Sequence, residues 1–368
     1  ILYAFLPYHL YRGEGHLLLS MYCVIPLVIV YAYKSCTNDY KLSKWKIFFF
    51  AIIISSLGAY YAIFSIMIIS FSLLFSIFNK KYPVMKNQLW LIFASALVFL
   101  FNQAPTIIYR LANGENPSAA ARQIADAENF GLQITNMFGP RLDHRIHKLA
   151  EFALNIQNTG TISELGQPIG IVATIGTIAL LLMGFIYLIK SKPIASDIKF
   201  FFLLVPAIML FAVSSGPTLF LASLGFTEIR SWNRVVVIIA FIGLLIVGRS
   251  FDSFLTKYKT KEVIVYGLIG LTLIVGFLDQ TSPKDKFNND YSLKAQDSDC
   301  SYVKALESKN LDQKNVFQLP FLFYPEGPNK HNMNHYDQAM SILCDTNLKF
   351  SFGAMVGRDD QFQSQYEL

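Results

Sequence analysis

Hydrophobic residues in this chain come in long blocks separated by short polar connections. A full membrane crossing needs about 20 apolar residues. Six stretches approach that length: Leu17–Tyr33, Leu89–Tyr109, Ile169–Ile189, Phe200–Leu224, Val235–Val247 with its flanks, and Val263–Leu278. A seventh run, Ile47–Phe78, has both flanks rich in lysine. It is too short for two full crossings and too long for one, so it predicts a short or re-entrant helical hairpin turning near Ser55–Tyr61. Irregular backbone at membrane depth survives only where protein or a water-filled cavity surrounds it, so that turn is expected to line a cavity. One long tilted helix is the alternative, at the cost of the charge pattern.

The longest polar interruption among these blocks is 110–167. After Asp279 the pattern changes for good. Residues 279–299 read as a polar linker, Val316–Leu319 as a strand, Tyr336–Leu343 as a short helix and Leu348–Phe352 as a second strand. The expected organisation is a helical transmembrane domain over 1–278, with 110–167 as an outward loop, followed by an α/β domain over 279–368.

Composition agrees. Charged residues make up 15% of the 368 residues and hydrophobic ones 53%, with a mean hydropathy of +0.40, whereas soluble domains carry about a quarter charged residues. The net charge of +6 gives no nucleic-acid signal, because most lysines lie in short connections between spans. Connections 34–46, 79–88, 190–199 and 249–262 each hold three or four Lys or Arg, which places them in the cytoplasm. Segments 1–16, 110–167, 225–231 and 279–368 then face outward, and the alternation closes without contradiction. Ile1 begins within an apolar run and no leader with a cleavage site follows; the chain is expected to be a piece of a longer protein, cut at both ends.

Three outward elements are rich in chemistry. Between Pro7 and His16 stand His9, Arg12, Glu14 and His16, with Gly13 and Gly15 between them. Guanidinium beside flexible backbone suits phosphate oxygens; an interfacial anchor with snorkelling side chains is the alternative. Glu14 and His16 are also two candidate metal ligands. In the polar loop, Arg110, Arg141 and Arg145 are candidates for an anionic head group, and Asp143, His144 and His147 are either metal ligands or solvated surface. At the entry to the fifth span, Arg230 and Arg234 flank Trp232 and Asn233. Arginines here run against their usual cytoplasmic bias, and charge at the membrane edge is costly unless paired or functional. Of the four cysteines, Cys300 and Cys344 share the polar C-terminal region. Outside the cell a disulfide between them is permitted; two unrelated thiols is the alternative.

The segments LPYHLYRGEGHLLLS, GAYYAIF, DAENFGLQITNMFGPRLDHRI, RSWNR and FLDQ, followed by VFQLPF and KFSFGAMVGR, together resemble bacterial YfhO-like membrane proteins. These are placed with the GT-C glycosyltransferases, and some relatives are labelled membrane phosphoglycerol transferases. The resemblance implies a polytopic helical, GT-C-like fold. It implies transfer of a sugar from a polyprenyl-phosphate donor to a cell-envelope glycan or lipid acceptor, at the outer face of the inner membrane. A divalent metal ion is the one cofactor left open. GT-C enzymes use an acidic residue of the first outward loop as base or metal ligand. That loop is expected before Ile1, which leaves Glu14 as the provisional base in this chain. Arg12, His16, Tyr60, Tyr61, Arg110, Arg141, Arg230 and Arg234 are the candidates for holding donor and phosphate. A flippase or transporter of lipid-linked glycan, or a phosphoglycerol transferase, are the competing functions. A transporter should show paired broken helices in its two halves, and only the 47–78 run has that character.

Overall fold

A computed structural model describes residues 1–13, 16–114, 122–158, 167–190, 196–258, 262–283, 289–309, 314–324, 330, 332–334, 336–352, 354–355 and 363. These group into two compact units, Ile1–Ile107 with Arg122–Asp285, and Ile108–Ala121 with Lys286–Leu368.

The first unit is helical. α1 (Pro7–Arg12) and α2 (Leu17–Ser20) lead into α3 (Val24–Asn38); α4 (Lys44–Ser56) and α5 (Ala59–Phe78) follow, then α6 (Tyr82–Asn113). The described part of the polar loop holds α7 (Ile124–Asn129), α8 (Ile134–Phe138) and α9 (His147–Asn158). Beyond it run α10 (Ile171–Ile189), α11 (Ser196–Ala212), α12 (Pro217–Ser223), α13 (Val236–Lys257) and α14 (Glu262–Gln280). Among the described residues six helices are long and apolar enough to cross a membrane: Leu17–Asn38, Ala59–Phe78, Tyr82–Asn113, Ile171–Ile189, Trp232–Lys257 and Glu262–Gln280. This is a polytopic helical membrane protein.

The hairpin forms where the length limit puts it. Leu57 and Gly58 break the run, with Gly58 at φ +118°, a backbone region that disfavours side chains. α4 and α5 run in opposite directions, as their links to α6 show. Asn87 bonds both the N–H and the carbonyl of Leu42 just before α4, and its neighbour Gln88 donates to Ser72 and Ser76 late in α5. At the other end of α4, Ser55 donates to the Ser95 carbonyl and Asn102 to the Ser55 carbonyl. Cys36 of α3 joins the same buried polar knot, its Sγ 3.1 Å from Ser72 Oγ. Small polar side chains of this kind hold helices together where lipid removes the hydrophobic drive for association.

Phe200–Leu224 is not one span. α11 ends at Ala212, and Val213–Gly216 turns the chain before Pro217 opens α12. Ser215 takes φ +59° there, and Pro217 sits at the first helical position, where its missing N–H costs nothing. The apolar helix left, Ile198–Ala212, has fewer than the 20 residues a crossing needs.

The connections sort to two ends of the unit. At one end Lys81 pairs with Asp39, Lys199 lies 6.0 Å from the Phe75 ring centre, and Arg249 reaches Tyr33. At the other end gather α1, the 57–61 break, residues 122–146 of the polar loop, the 213–216 turn and residues 230–234.

In the second unit the polar segment read as a linker becomes helix from Asn289: α15 covers Asn289–Glu307. The described strands are two residues each. β1 (Asn315–Val316) pairs in parallel with β3 (Lys349–Phe350), and β2 (Phe323–Tyr324) with β4 (Ala354–Met355). A 3-10 helix, Asp337–Leu343, lies between β2 and β3 in the chain. Cys300 of α15 is disulfide-bonded to Cys344, 44 residues on. Closing a loop of that length removes chain entropy worth about 3–4 kcal/mol from the unfolded state. Cys344→Ser is therefore expected to speed limited proteolysis within 289–352 severalfold, matching the unchanged protein under reductant.

Candidate functional site

α1 begins with proline at its first position and stops at Gly13, whose φ of +45° turns the chain away. Its i, i+4 spacing puts Tyr8 and Arg12 on one face, and the Arg12 guanidinium lies 5.1 Å from the centre of the Tyr8 ring. Both are buried. The Tyr61 hydroxyl donates to the Leu19 carbonyl. Its one proton is then committed, so the Tyr8 hydroxyl, 3.0 Å away, donates to it. Tyr60, the preceding residue, lies beneath Arg234, with the guanidinium 4.1 Å from the ring centre. Its hydroxyl accepts from the Ser231 N–H at 3.4 Å. The break after α4 thus sets Tyr60 under Arg234 and joins Tyr61, through its hydroxyl, to the Tyr8 that carries Arg12. Cation–π stacking fixes each guanidinium plane without consuming its N–H donors.

Trp232–Val235 form a buried 3-10 turn before α13. Trp232 packs edge-on against Phe211 and near Phe64. The Asn233 N–H donates to the Phe130 carbonyl at 3.0 Å, pinning the turn to the polar loop. The Asn233 side chain is 2% exposed, and neither its Nδ2 nor its Oδ1 has a hydrogen-bond partner among the described residues. An unsatisfied buried amide costs about 1–3 kcal/mol, which makes Asn233 a candidate for bonding a polar ligand group. Sequence reasoning passed over Asn233; its signal was an amide wedged between Trp232 and Arg234 at the mouth of a span.

The polar loop is latched to this end at several points. The Glu128 carboxylate accepts from the Ser215 N–H and hydroxyl at 2.5 and 2.8 Å, and Leu132 and Ser214 exchange backbone bonds with 212 and 132. Gly131 meets Ser214 so closely that a Cβ would lie 2.6 Å from Ser214 Oγ.

Arg141 does not join the arginine–tyrosine cluster. It is 1% exposed and forked onto Asp143 at 3.0 and 2.9 Å, with a third bond to the Gln280 carbonyl at 2.6 Å. Tyr11 lies under its guanidinium, 4.6 Å from ring centre, and donates to Asp143 at 2.7 Å. This arrangement ties the loop to the end of α14 and to α1. Arg145 extends the tie to Leu278 and Thr281, and Asp279 takes His144 at 3.4 Å and the Ile171 N–H at 2.7 Å. With Asp143 spent on Arg141, His144 on Asp279 and His147 on Glu151, the three form no metal set. Among the described residues no three His, Cys, Asp or Glu converge.

Burial alone would raise the Asp143 carboxyl, but hydrogen bonds from Arg141 and Tyr11 together with the Arg141 charge hold it below the usual carboxylate range. The folded state therefore binds its proton less tightly than the unfolded chain, whose value is about 3.9. Its stabilisation is complete above about pH 5 and is lost as pH falls through the lowered folded value. Asp143→Asn removes the carboxylate onto which the buried Arg141 is forked and is expected to cost about 3 kcal/mol in denaturant unfolding at neutral pH. The loss should shrink as pH falls below the unfolded value of about 3.9, where the unfolded chain takes up its proton while the folded carboxyl still resists it.

Of the remaining sequence candidates, Arg230 is half-exposed, stacked on Phe130 at 4.9 Å and 4.0 Å from Asp126. His16 is exposed at the start of α2. Arg110 is exposed on the last turn of α6, in the second unit. Glu14 lies outside the described residues. No protein-family model, curated protein or solved structure matches the chain.

Proposed function

We propose that this chain is a GT-C-like membrane glycosyltransferase of the YfhO-like kind, moving a sugar from a polyprenyl-phosphate donor to a cell-envelope acceptor at the outer face of the inner membrane. The observation that carries the reading is the buried Asn233 amide, without a side-chain partner among the described residues and next in sequence to the Arg234 that stacks on Tyr60; Arg12 stacks on Tyr8, whose hydroxyl bonds that of Tyr61. Donors fixed in a low-dielectric setting are what a departing lipid phosphate requires. The lysine-bearing connections at the opposite end support an outward orientation of this site, and the Cys300–Cys344 disulfide supports an oxidising compartment for the region that carries it.

In this scheme a carboxylate, Glu14 in this chain, accepts the proton of an acceptor hydroxyl. The hydroxyl oxygen attacks the anomeric carbon, the bond from that carbon to the phosphate oxygen breaks, and the phosphate leaves with the electron pair. Arg12 and Arg234 balance the charge that develops on it, and Asn233 bonds a sugar hydroxyl or phosphate oxygen. Arg141 belongs to the scaffold instead. The region from Lys286 onward is proposed as an outward α/β domain. The test is reconstitution in liposomes with a labelled polyprenyl-phosphate sugar. Label appearing on a glycan or lipid acceptor with matching release of polyprenyl phosphate is the expected result. Donor moving between leaflets with its sugar intact would overturn it in favour of a flippase, and release of glycerol phosphate in favour of a phosphoglycerol transferase.

A further inference from the structure

The end of the first unit opposite the arginine–tyrosine cluster carries an unbalanced charge. Connections 34–46 and 79–88 hold four and three lysines and a single carboxylate, Asp39. Asp39 is taken by Lys81 at 2.9 Å. Lys41, Lys44 and Lys86 have neither ion pair nor hydrogen bond among the described residues, and they stand along one open groove of about 680 Å³ between the start of α4 and the first half of α6. Below them the groove is apolar, walled by Ile47, Trp90 and Ala94. The first turn of α4 adds to the imbalance, since it holds Lys44 and Lys46 and no acidic residue, where the helix dipole favours negative charge.

A basic rim above an apolar floor has the polarity of a phospholipid standing in its leaflet. We propose that this groove is a binding site for an anionic phospholipid, with the phosphate among Lys41, Lys44 and Lys86 and an acyl chain along Trp90 and Ala94. Basic pockets between transmembrane helices recognise such head groups through this charge, and a tryptophan at head-group depth presents its apolar ring to the chain. A zwitterionic lipid brings its own ammonium against three lysines. A soluble phosphate would leave the apolar floor uncovered. The site is separate from donor binding at the other end and does not depend on it.

Trp45→Phe with Trp232→Phe leaves Trp90 as the sole tryptophan of three. In phosphatidylcholine liposomes, brominated phosphatidylglycerol should half-quench its fluorescence at a mole fraction at least about five-fold lower than brominated phosphatidylcholine, since each lysine near a lipid surface contributes about that factor. Replacing Lys41, Lys44 and Lys86 with glutamine should abolish the preference, and arginine at the same positions should keep it. Native mass spectrometry of the protein with all its tryptophans, released from mixed bilayers, reads the same preference without those substitutions. Equal quenching by the two lipids, an unchanged preference in the glutamine variant, or displacement by inorganic phosphate would each overturn the proposal.

Discussion

Arg234→Ala is expected to lower kcat of the proposed sugar transfer by about 10²–10³-fold, the scale measured when one preorganised donor to a developing charge is removed. Arg234 is buried and stacked on Tyr60, whose hydroxyl is itself held by the Ser231 N–H. Its loss should leave the turn standing, because Trp232 stays wedged against Phe211 and the Asn233 N–H stays on Phe130. Arg234→Lys keeps the charge but loses the planar stack and the forked donors, so it should recover only part of the rate. Arg230→Ala is the internal comparison. Arg230 is half-exposed and faces Asp126, and its removal should cost less than about ten-fold. An effect confined to KM would mean that Arg234 grips donor and transition state alike. Unchanged transfer in Arg234→Ala would remove it from the site altogether.

The features legible in the sequence were those set by the membrane. Charge is excluded from the apolar layer, so the lysine connections had to share one end, and contacts such as Lys81–Asp39 and Arg249–Tyr33 lie there. Length against bilayer thickness located the break at Leu57–Gly58, and with it the tyrosine pair. Features decided by partners distant in sequence were hidden. Nothing near Arg141 announces that its third bond ends on the Gln280 carbonyl, 139 residues away, so a scaffold arginine read like a ligand arginine. The interruption at Val213–Gly216 was masked because hydropathy stays high on both sides; only Ser214, Ser215, Gly216 and Pro217 betrayed it. α15 lacked an apolar stripe and so read as linker.

Gly243→Leu is expected to have the largest effect on folding. α10 and α13 approach backbone to backbone: a Cβ on Gly176 would lie 2.0 Å from the Gly243 carbonyl oxygen, and one on Gly243 would lie 2.3 Å from the Ala173 oxygen and 2.6 Å from Thr177 Oγ1. Those neighbours are mostly backbone, so no rotamer change relieves the clash and the helices must separate. Separation strips contacts from Val172, Ala173 and Leu180 on α10 and from Ile239, Ile242 and Ile246 on α13, all buried. In lipid this matters more than in water. Without a hydrophobic drive between helices, close packing at small residues supplies much of the association, and overpacking a tight contact costs about 1–3 kcal/mol before any wider loss. Gly243→Leu should lower the midpoint of thermal unfolding in detergent by more than about 10 °C, or leave no monodisperse protein. Gly248→Leu, on the same helix with nothing within 4 Å of where a Cβ would stand, changes helix propensity and lipid contact alone and should be neutral or mildly stabilising. Equal behaviour of the two variants would show that the α10–α13 contact is not what holds the first unit together. The arginine–tyrosine cluster depends on that contact, because α13 begins at the turn that carries Asn233 and Arg234.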